Sequence, residues 1–130
     1  MGRLRVDRLA GPPAELVTGA GELVAARCYR AGSAVGRRVG VLGAPHRAPD
    51  EALWLEPCAS VHGLGLRARI GCAFLADDGT VLRVVDPLPR GGMAAARGAH
   101  AVVECAAGRL AALPAGTRLA LRSSPAVSRT

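Results

Sequence analysis

Short apolar runs separated by turn-forming residues recur along the whole chain. Residues 52–55 and 70–75 are almost unbroken apolar runs, typical of strands buried on both faces, and residues 81–85 are interpreted in the same way. Residues 117–122 alternate instead, which places Leu119 and Leu121 on one face and arginines on the other. Between 70–75 and 81–85, Asp78-Gly79 predicts a hairpin, because both residues tolerate the positive φ of a tight turn.

Further strands are expected in other parts of the chain. Residues 3–7 alternate like an edge strand, and Gly11-Pro12-Pro13 should end it, because proline cannot donate to a sheet. Residues 16–18 and 22–30 are predicted strands joined by a turn at 19–21, and residues 101–105 are another. Residues 87–92 are rich in proline and glycine, which predicts an irregular crossing between strands.

Two short segments favour helix. Val35, Val39 and Leu42 fall at helical spacing after Ser33, a residue suited to cap a helix, and residues 108–113 are compatible with one or two helical turns. The segments together predict a mainly β (α+β) fold, a compact, strongly curved or partly closed β-barrel-like domain with one or two short helices. Residues 1–122 are expected to form a single domain, and residues 123–130 a disordered tail.

Composition and charge change this picture little. The chain has 130 residues and a net charge of +7, but all 17 basic residues are arginine and they are scattered along the sequence. The charge is therefore interpreted as compositional bias, and nucleic acid is not the expected partner. The four cysteines form no Cys-x-x-Cys pair, so a zinc knuckle is not indicated, and no metal or cofactor is predicted. Without a signal-peptide or membrane-span pattern, we expect a cytoplasmic protein with reduced thiols.

From Pro57 onward, several short motifs follow one another in a fixed order. They are Ser60-Val61-His62, Gly65, Arg67, Ile70, Phe74-Leu75, Asp78-Gly79-Thr80-Val81, the stretch Gly98-Ala99-His100-Ala101-Val102-Val103-Glu104, and Ala107-Gly108. In order and spacing these motifs resemble the family catalogued as domain of unknown function 192, also called uncharacterised protein family 0127, over about residues 23–121. The resemblance is that of a divergent member, and it implies a compact β-rich fold with no established biochemical activity.

Four positions depart from the pattern of that family. Gly63 stands where the family has Thr, Leu66 where it has Met, and Arg69 where it has Pro. Gly71 stands where the family has Asp. If a histidine and an aspartate form the polar site in the family, the carboxylate of that pair is missing from position 71 here.

The candidate site is centred on His62. Cys58, Ser60 and His62 alternate, so on an extended strand they share one face. Residues i and i+4 lie about 13 Å apart along a strand, whereas a nucleophile and its base must approach to about 3 Å, so Cys58 and His62 are not assigned as a catalytic pair. Polar residues that interrupt an apolar stretch are typical of ligand pockets, and the expected lining is Trp54, Ser60, His62 and Arg67. Arg67 is included because a guanidinium holds a carboxylate or phosphate at two points.

Several alternatives stay open beside this hypothesis. A degenerate hydrolase or metal-binding protein would use His62 with Cys58 or Cys72, and His100 or Cys105 could then complete a metal site. Weak nucleic-acid binding would use the arginine-rich surface, although three aromatic residues are few for a surface that stacks on bases. His62 could also be purely structural. The expected function is that of a small soluble domain, leaning towards non-enzymatic, that binds a small ligand or a protein partner in a cleft near His62.

Overall fold

The computed structural model describes residues 10–31, 50–62, 69–89 and 92–123 of the chain. Within these ranges the protein is mainly β, as predicted. The strands are β1 (Ala10–Thr18), β2 (Leu23–Ala31), β3 (Glu51–Leu55), β4 (Ser60–His62), β5 (Ile70–Leu75), β6 (Val81–Val85), β7 (Met93–Ala95), β8 (Ala101–Ala106) and β9 (Leu119–Arg122).

Seven strands form one sheet, whose two ends meet. The order is β6-β5-β8-β3-β2-β1-β9, and β4 and β7 form a separate two-stranded sheet. Just before β6, Thr80 forms a bridge with Arg118, which lies just before β9. The N–H of Val81 donates to Thr117 O (2.7 Å) and the N–H of Leu119 donates to Gly79 O (2.9 Å) beside this bridge. The sheet is therefore strongly curved and partly closed, as the sequence predicts.

The predicted hairpin supplies the contact that closes the sheet. Gly79 has a φ of 89°, which favours glycine, and its N–H donates to Ala76 O at 3.0 Å. A Cβ atom at this position would lie 2.3 Å from the carbonyl oxygen of Leu119. The side chain of Asp78 accepts a hydrogen bond from the N–H of Thr80 at 2.9 Å. The Asp-Gly pair therefore forms the turn, and its glycine leaves the space in which β9 approaches the hairpin.

The core consists of two apolar clusters on opposite faces of the curved sheet. The inner cluster contains residues from strands at both ends of the order, which shows that the sheet wraps around it: Leu16, Ala25, Cys28, Ala52, Ala73, Leu75, Val81, Ala101, Val103, Cys105, Leu110 and Leu119. The outer cluster lies under the small β4–β7 sheet: Tyr29, Ala31, Leu53, Leu55, Val61, Ile70, Cys72, Phe74, Leu88, Ala94 and Val102. Because both faces are covered, all six residues of β5 are buried.

Three strands differ from the prediction. Pro12 and Pro13 lie inside β1 and do not end a strand, because the β1–β2 register is irregular there and β9 pairs only with residues 15–18 of β1. Proline is tolerated at such bulges and edges. β6 is only partly buried, since it is an edge strand and Leu82 is 39% exposed. β7 was not predicted, because three residues carry too little periodicity to detect.

No helix occurs in the part of the chain that the structure describes. Residues 108–113, which the sequence favoured as helical turns, form successive turns with hydrogen bonds such as that from Leu113 N to Leu110 O at 3.0 Å. The predicted strand at 3–7, the predicted helix at 33–42 and nearly all of the predicted tail lie outside the described residues. Among the described residues, no helix is both long and apolar enough to cross a membrane.

Candidate functional site

A tryptophan, a glutamate and a histidine meet at the end of β3. Trp54 and Glu56 are two residues apart on an extended segment and therefore share a side, and the indole Nε1 donates to Glu56 Oε1 at 2.7 Å. Strands β3 and β8 are antiparallel, and Leu55 lies opposite Val102. The segment that follows Glu56 therefore passes beside His100, which comes just before β8. The N–H of Cys58 donates to His100 O at 3.0 Å, and His100 Nε2 lies 2.9 Å from Glu56 Oε2.

The carboxylate of Glu56 is held in its charged form. The hydrogen bond from Trp54 is the largest cause that lowers the pKa of Glu56 below its ordinary value of 4.5, and it outweighs the opposing effect of burial. The hydrogen bond and charge of His100, and the charge of Arg30, lower this pKa further. Glu56 thus stays ionised at neutral pH and orients both neighbouring rings.

The cluster remains accessible to solvent. The side chain of His100 is 47% exposed and that of Glu56 37%, while Trp54 is half-buried against the inner cluster. Arg30 is exposed on β2, directly beside Trp54 in the parallel β2–β3 register. The site therefore combines an accessible imidazole, one aromatic face and a nearby guanidinium, a combination that suits the recognition of a small polar ligand.

The structure describes only part of the predicted site. Trp54 belongs to the seven-stranded sheet, whereas Ser60 is exposed on β4 in the small sheet. The backbone of His62 pairs with Met93 of β7, and Arg67 lies outside the described residues. The thiol of Cys58 donates to Ser60 O at 3.2 Å, so β4 begins directly beside the segment that contacts His100. The prediction of a cleft at His62 stays a prediction.

The alternative sets of ligands include His62, whose side chain the structure does not describe, so they stay predictions. Among the described residues, no group of three or more His, Cys, Asp or Glu side chains is placed to hold a metal ion. Cys72 and Cys105 are buried on β5 and β8 and belong to different clusters, Cys72 to the outer and Cys105 to the inner one. Buried thiols of this kind are common packing residues.

A carboxylate does lie beside position 71, although the sequence has glycine there. A Cβ atom on Gly71 would be 2.3 Å from Cγ of Asp86, so the absence of a side chain makes room for the Asp86 carboxylate. That carboxylate accepts hydrogen bonds from the N–H groups of Gly108 (2.7 Å) and Leu110 (2.8 Å). Asp86 therefore anchors the loop between β8 and β9.

Sequence reasoning missed the residues that complete the cluster. Glu56 could have been found, because it continues the alternation of Trp54 beyond the strand end. His100 was considered as a metal ligand and as part of a family motif, and its place beside Glu56 depends on the pairing of segments 44 residues apart in the sequence. Glu104 was noted only within a family motif, yet it is 1% exposed on β8, opposite Cys72 and Leu53.

Comparison with known proteins supports the fold. No protein-family model and no curated protein matches this chain. A crystal structure of a candidate transcription regulator from Sinorhizobium meliloti 1021 superposes with a TM-score of 0.73 at 20% identity, covering 87% of this chain and 95% of that one. A protein of unknown function from Novosphingobium aromaticivorans DSM 12444 gives 0.70 at 16% identity, covering 92% and 99%. The chain therefore shares a mainly β fold with these two proteins.

Proposed function

We propose that this protein is a small non-enzymatic domain that binds an anionic ligand, a carboxylate or a phosphate, at the cluster of Trp54, Glu56 and His100. The observation that carries the proposal is the accessible imidazole of His100, oriented by an ionised Glu56 that is itself fixed by Trp54. When His100 is protonated, Nε2–H donates to Glu56 and Nδ1–H is left to donate to an anion.

The basic side chains of Arg30 and His100 flank the ionised Glu56 and supply the positive charge that an anion needs. Arg30 lies beside Trp54, and its positive charge acts on Glu56. In the sequence, His62 is the last residue of β4 and Arg67 follows soon after it, and a guanidinium can hold a carboxylate or phosphate at two points. The proposal thus keeps Trp54, Ser60, His62 and Arg67 as lining residues and adds Glu56 and His100. We also propose, from the sequence alone, that the chain is a divergent relative of the domain of unknown function 192 family and that it has a short helix at 33–42.

Trp54 is the only tryptophan of the chain and therefore reports on the site. Titration with inorganic phosphate and with acetate should change its fluorescence in a saturable way, while methylammonium should not. His62→Ala and His100→Ala should abolish that change and leave the thermal midpoint little altered. Intact anion binding in both variants, or a large loss of stability with binding retained, would overturn the proposal.

A hydrolase or metal enzyme is the competing function, and two inexpensive measurements decide it. The thiol of Cys58 donates a hydrogen bond to Ser60 O at 3.2 Å, and Cys72 is buried on β5, where thiols are inert. Thiol titration should therefore find no hyper-reactive cysteine, and elemental analysis should find no stoichiometric metal. One metal per chain, or a single fast-reacting thiol, would favour the enzyme.

A further inference from the structure

A second concave site lies at the opposite end of β2 from the cluster described above. The cavity has a volume of about 370 Å³ and lies between the β1–β2 hairpin and the loop that joins β8 to β9. The residues that line it include Thr18, Glu22, Leu23, Arg109, Leu113 and Pro114. That volume lies within the range of small-molecule sites. Glu56 adjoins Ala31 at the other end of β2, seven residues from Val24, or about 23 Å along a strand.

The loop wall of this cavity is held in place by Asp86. Its two carboxylate oxygens accept the N–H groups of Gly108 (2.7 Å) and Leu110 (2.8 Å), the residues on either side of Arg109. Leu110 is fully buried in the inner cluster, which fixes the loop from below. The backbone at Arg109 is therefore positioned before any ligand arrives, which reduces the entropy lost on binding.

The guanidinium of Arg109 is positioned as well. Its Nη2 donates to the carbonyl oxygen of Val24 on the facing hairpin. A guanidinium carries five donors, so this single bond leaves others for a carboxylate in the cavity. The charge of Asp50 also interacts with that of Arg109, but the Asp50 carboxylate is hydrogen-bonded to Arg27 at 3.1 Å.

The other residues that line the cavity indicate which further groups the ligand carries. Glu22 supplies a negative charge on the hairpin wall, where its N–H is held by the hydroxyl of Thr18 at 3.1 Å. Leu23, which is 51% exposed, Leu113 and Pro114 supply apolar surface. A cavity with one cation, one anion and aliphatic walls is complementary to a small zwitterion that carries an aliphatic side chain.

From these contacts we infer that the cavity binds a free aliphatic α-amino acid, whose carboxylate meets Arg109 and whose ammonium meets Glu22. This site is separate from the proposed anion site, so either can fail without the other. Its chemistry is a matched pair of charges, whereas the Trp54 cluster is expected to take an anion alone.

Three probes of nearly the same shape test the inference by ¹H–¹⁵N NMR titration. L-Leucine carries both charges, 4-methylpentanoate lacks the ammonium, and 3-methylbutylamine lacks the carboxylate. Leucine should shift the amides of residues 18–24 and 109–113 saturably, 4-methylpentanoate should bind more weakly, and the amine should not bind there. Absence of saturable shifts with leucine up to tens of millimolar, or equal binding of the amine, would overturn the inference.

Two variants separate the charges. Arg109→Gln should weaken leucine about tenfold, the loss expected for a charge-assisted hydrogen bond, and Glu22→Gln should remove the preference for leucine over 4-methylpentanoate. Arg122→Gln, which removes an arginine at the far end of the β1–β9 pair, is the matched control and should leave leucine binding unchanged. Unchanged binding in Arg109→Gln, or a preference for leucine that survives in Glu22→Gln, would contradict the assigned contacts.

Discussion

Two carboxylates that each accept two hydrogen bonds have different environments in this protein. Asp86 accepts from two backbone N–H groups, those of Gly108 and Leu110, and its partners are therefore part of the fold. Glu56 accepts from two side chains, the indole of Trp54 and the half-exposed imidazole of His100. Both residues precede a proline through a cis peptide bond. The donors, and not the carboxylate itself, distinguish a structural anchor from a candidate binding site.

The largest effect is expected at the structural carboxylate. Gly71→Ala places a Cβ atom 2.3 Å from Cγ of Asp86, so the carboxylate must move off its backbone donors. Overpacking and the lost hydrogen bonds should lower the free energy of unfolding by about 3 kcal/mol, measured by urea denaturation. Alanine is ordinarily better than glycine within a strand, so a neutral or stabilising effect would show that Asp86 does not occupy this space.

Gly19→Ala is the matched control for that substitution. There is room for a methyl group at Gly19, since a Cβ atom there would be 3.8 Å from its nearest neighbour, Cβ of Arg118. The same chemical change should therefore alter the free energy of unfolding by no more than about 0.5 kcal/mol. A loss comparable to that of Gly71→Ala would mean that the effect at position 71 is not specific to Asp86.

A double-mutant cycle between Gly71 and Asp86 gives the next largest effect. Asp86→Ala removes the atoms with which a Cβ at position 71 would collide, so Gly71→Ala should cost less in the Asp86→Ala background than in the wild type. We expect a coupling free energy of at least about 1 kcal/mol from urea denaturation of the four proteins. Additive losses would contradict direct contact between the two positions.

The pH dependence of Glu56 gives a smaller effect. The hydrogen bond from Trp54, together with His100, lowers the pKa of this carboxyl in the folded state below 4.5, so its stabilising contribution is present above the unfolded-state pKa and is lost as the pH falls through the folded-state pKa. Trp54 fluorescence should show a transition with a midpoint below 4.5 that is missing in Glu56→Gln. A midpoint at or above 4.5, or an unchanged transition in the variant, would contradict this assignment.

Local signals in the sequence account for much of the fold but for little of the site. The buried strand at 70–75 and the Asp78-Gly79 turn could be predicted because periodicity and turn chemistry are written in adjacent residues. The pairing of Glu56 with His100 could not, because it depends on the β3–β8 register between residues 44 positions apart. The contact between Asp86 and Gly71 could not be predicted for the same reason, since it follows from the β5–β6 pairing.

Substitution of each carboxylate by its amide tests the central distinction most directly. In Asp86→Asn, the amide NH₂ must face one of the two backbone N–H donors, which should lower the free energy of unfolding by about 2 kcal/mol. In Glu56→Gln, partners that are partly exposed should limit the loss to less than about 1 kcal/mol. Urea denaturation of both variants at neutral pH should therefore find Asp86→Asn clearly the less stable. Equal losses, or a greater loss in Glu56→Gln, would contradict the account.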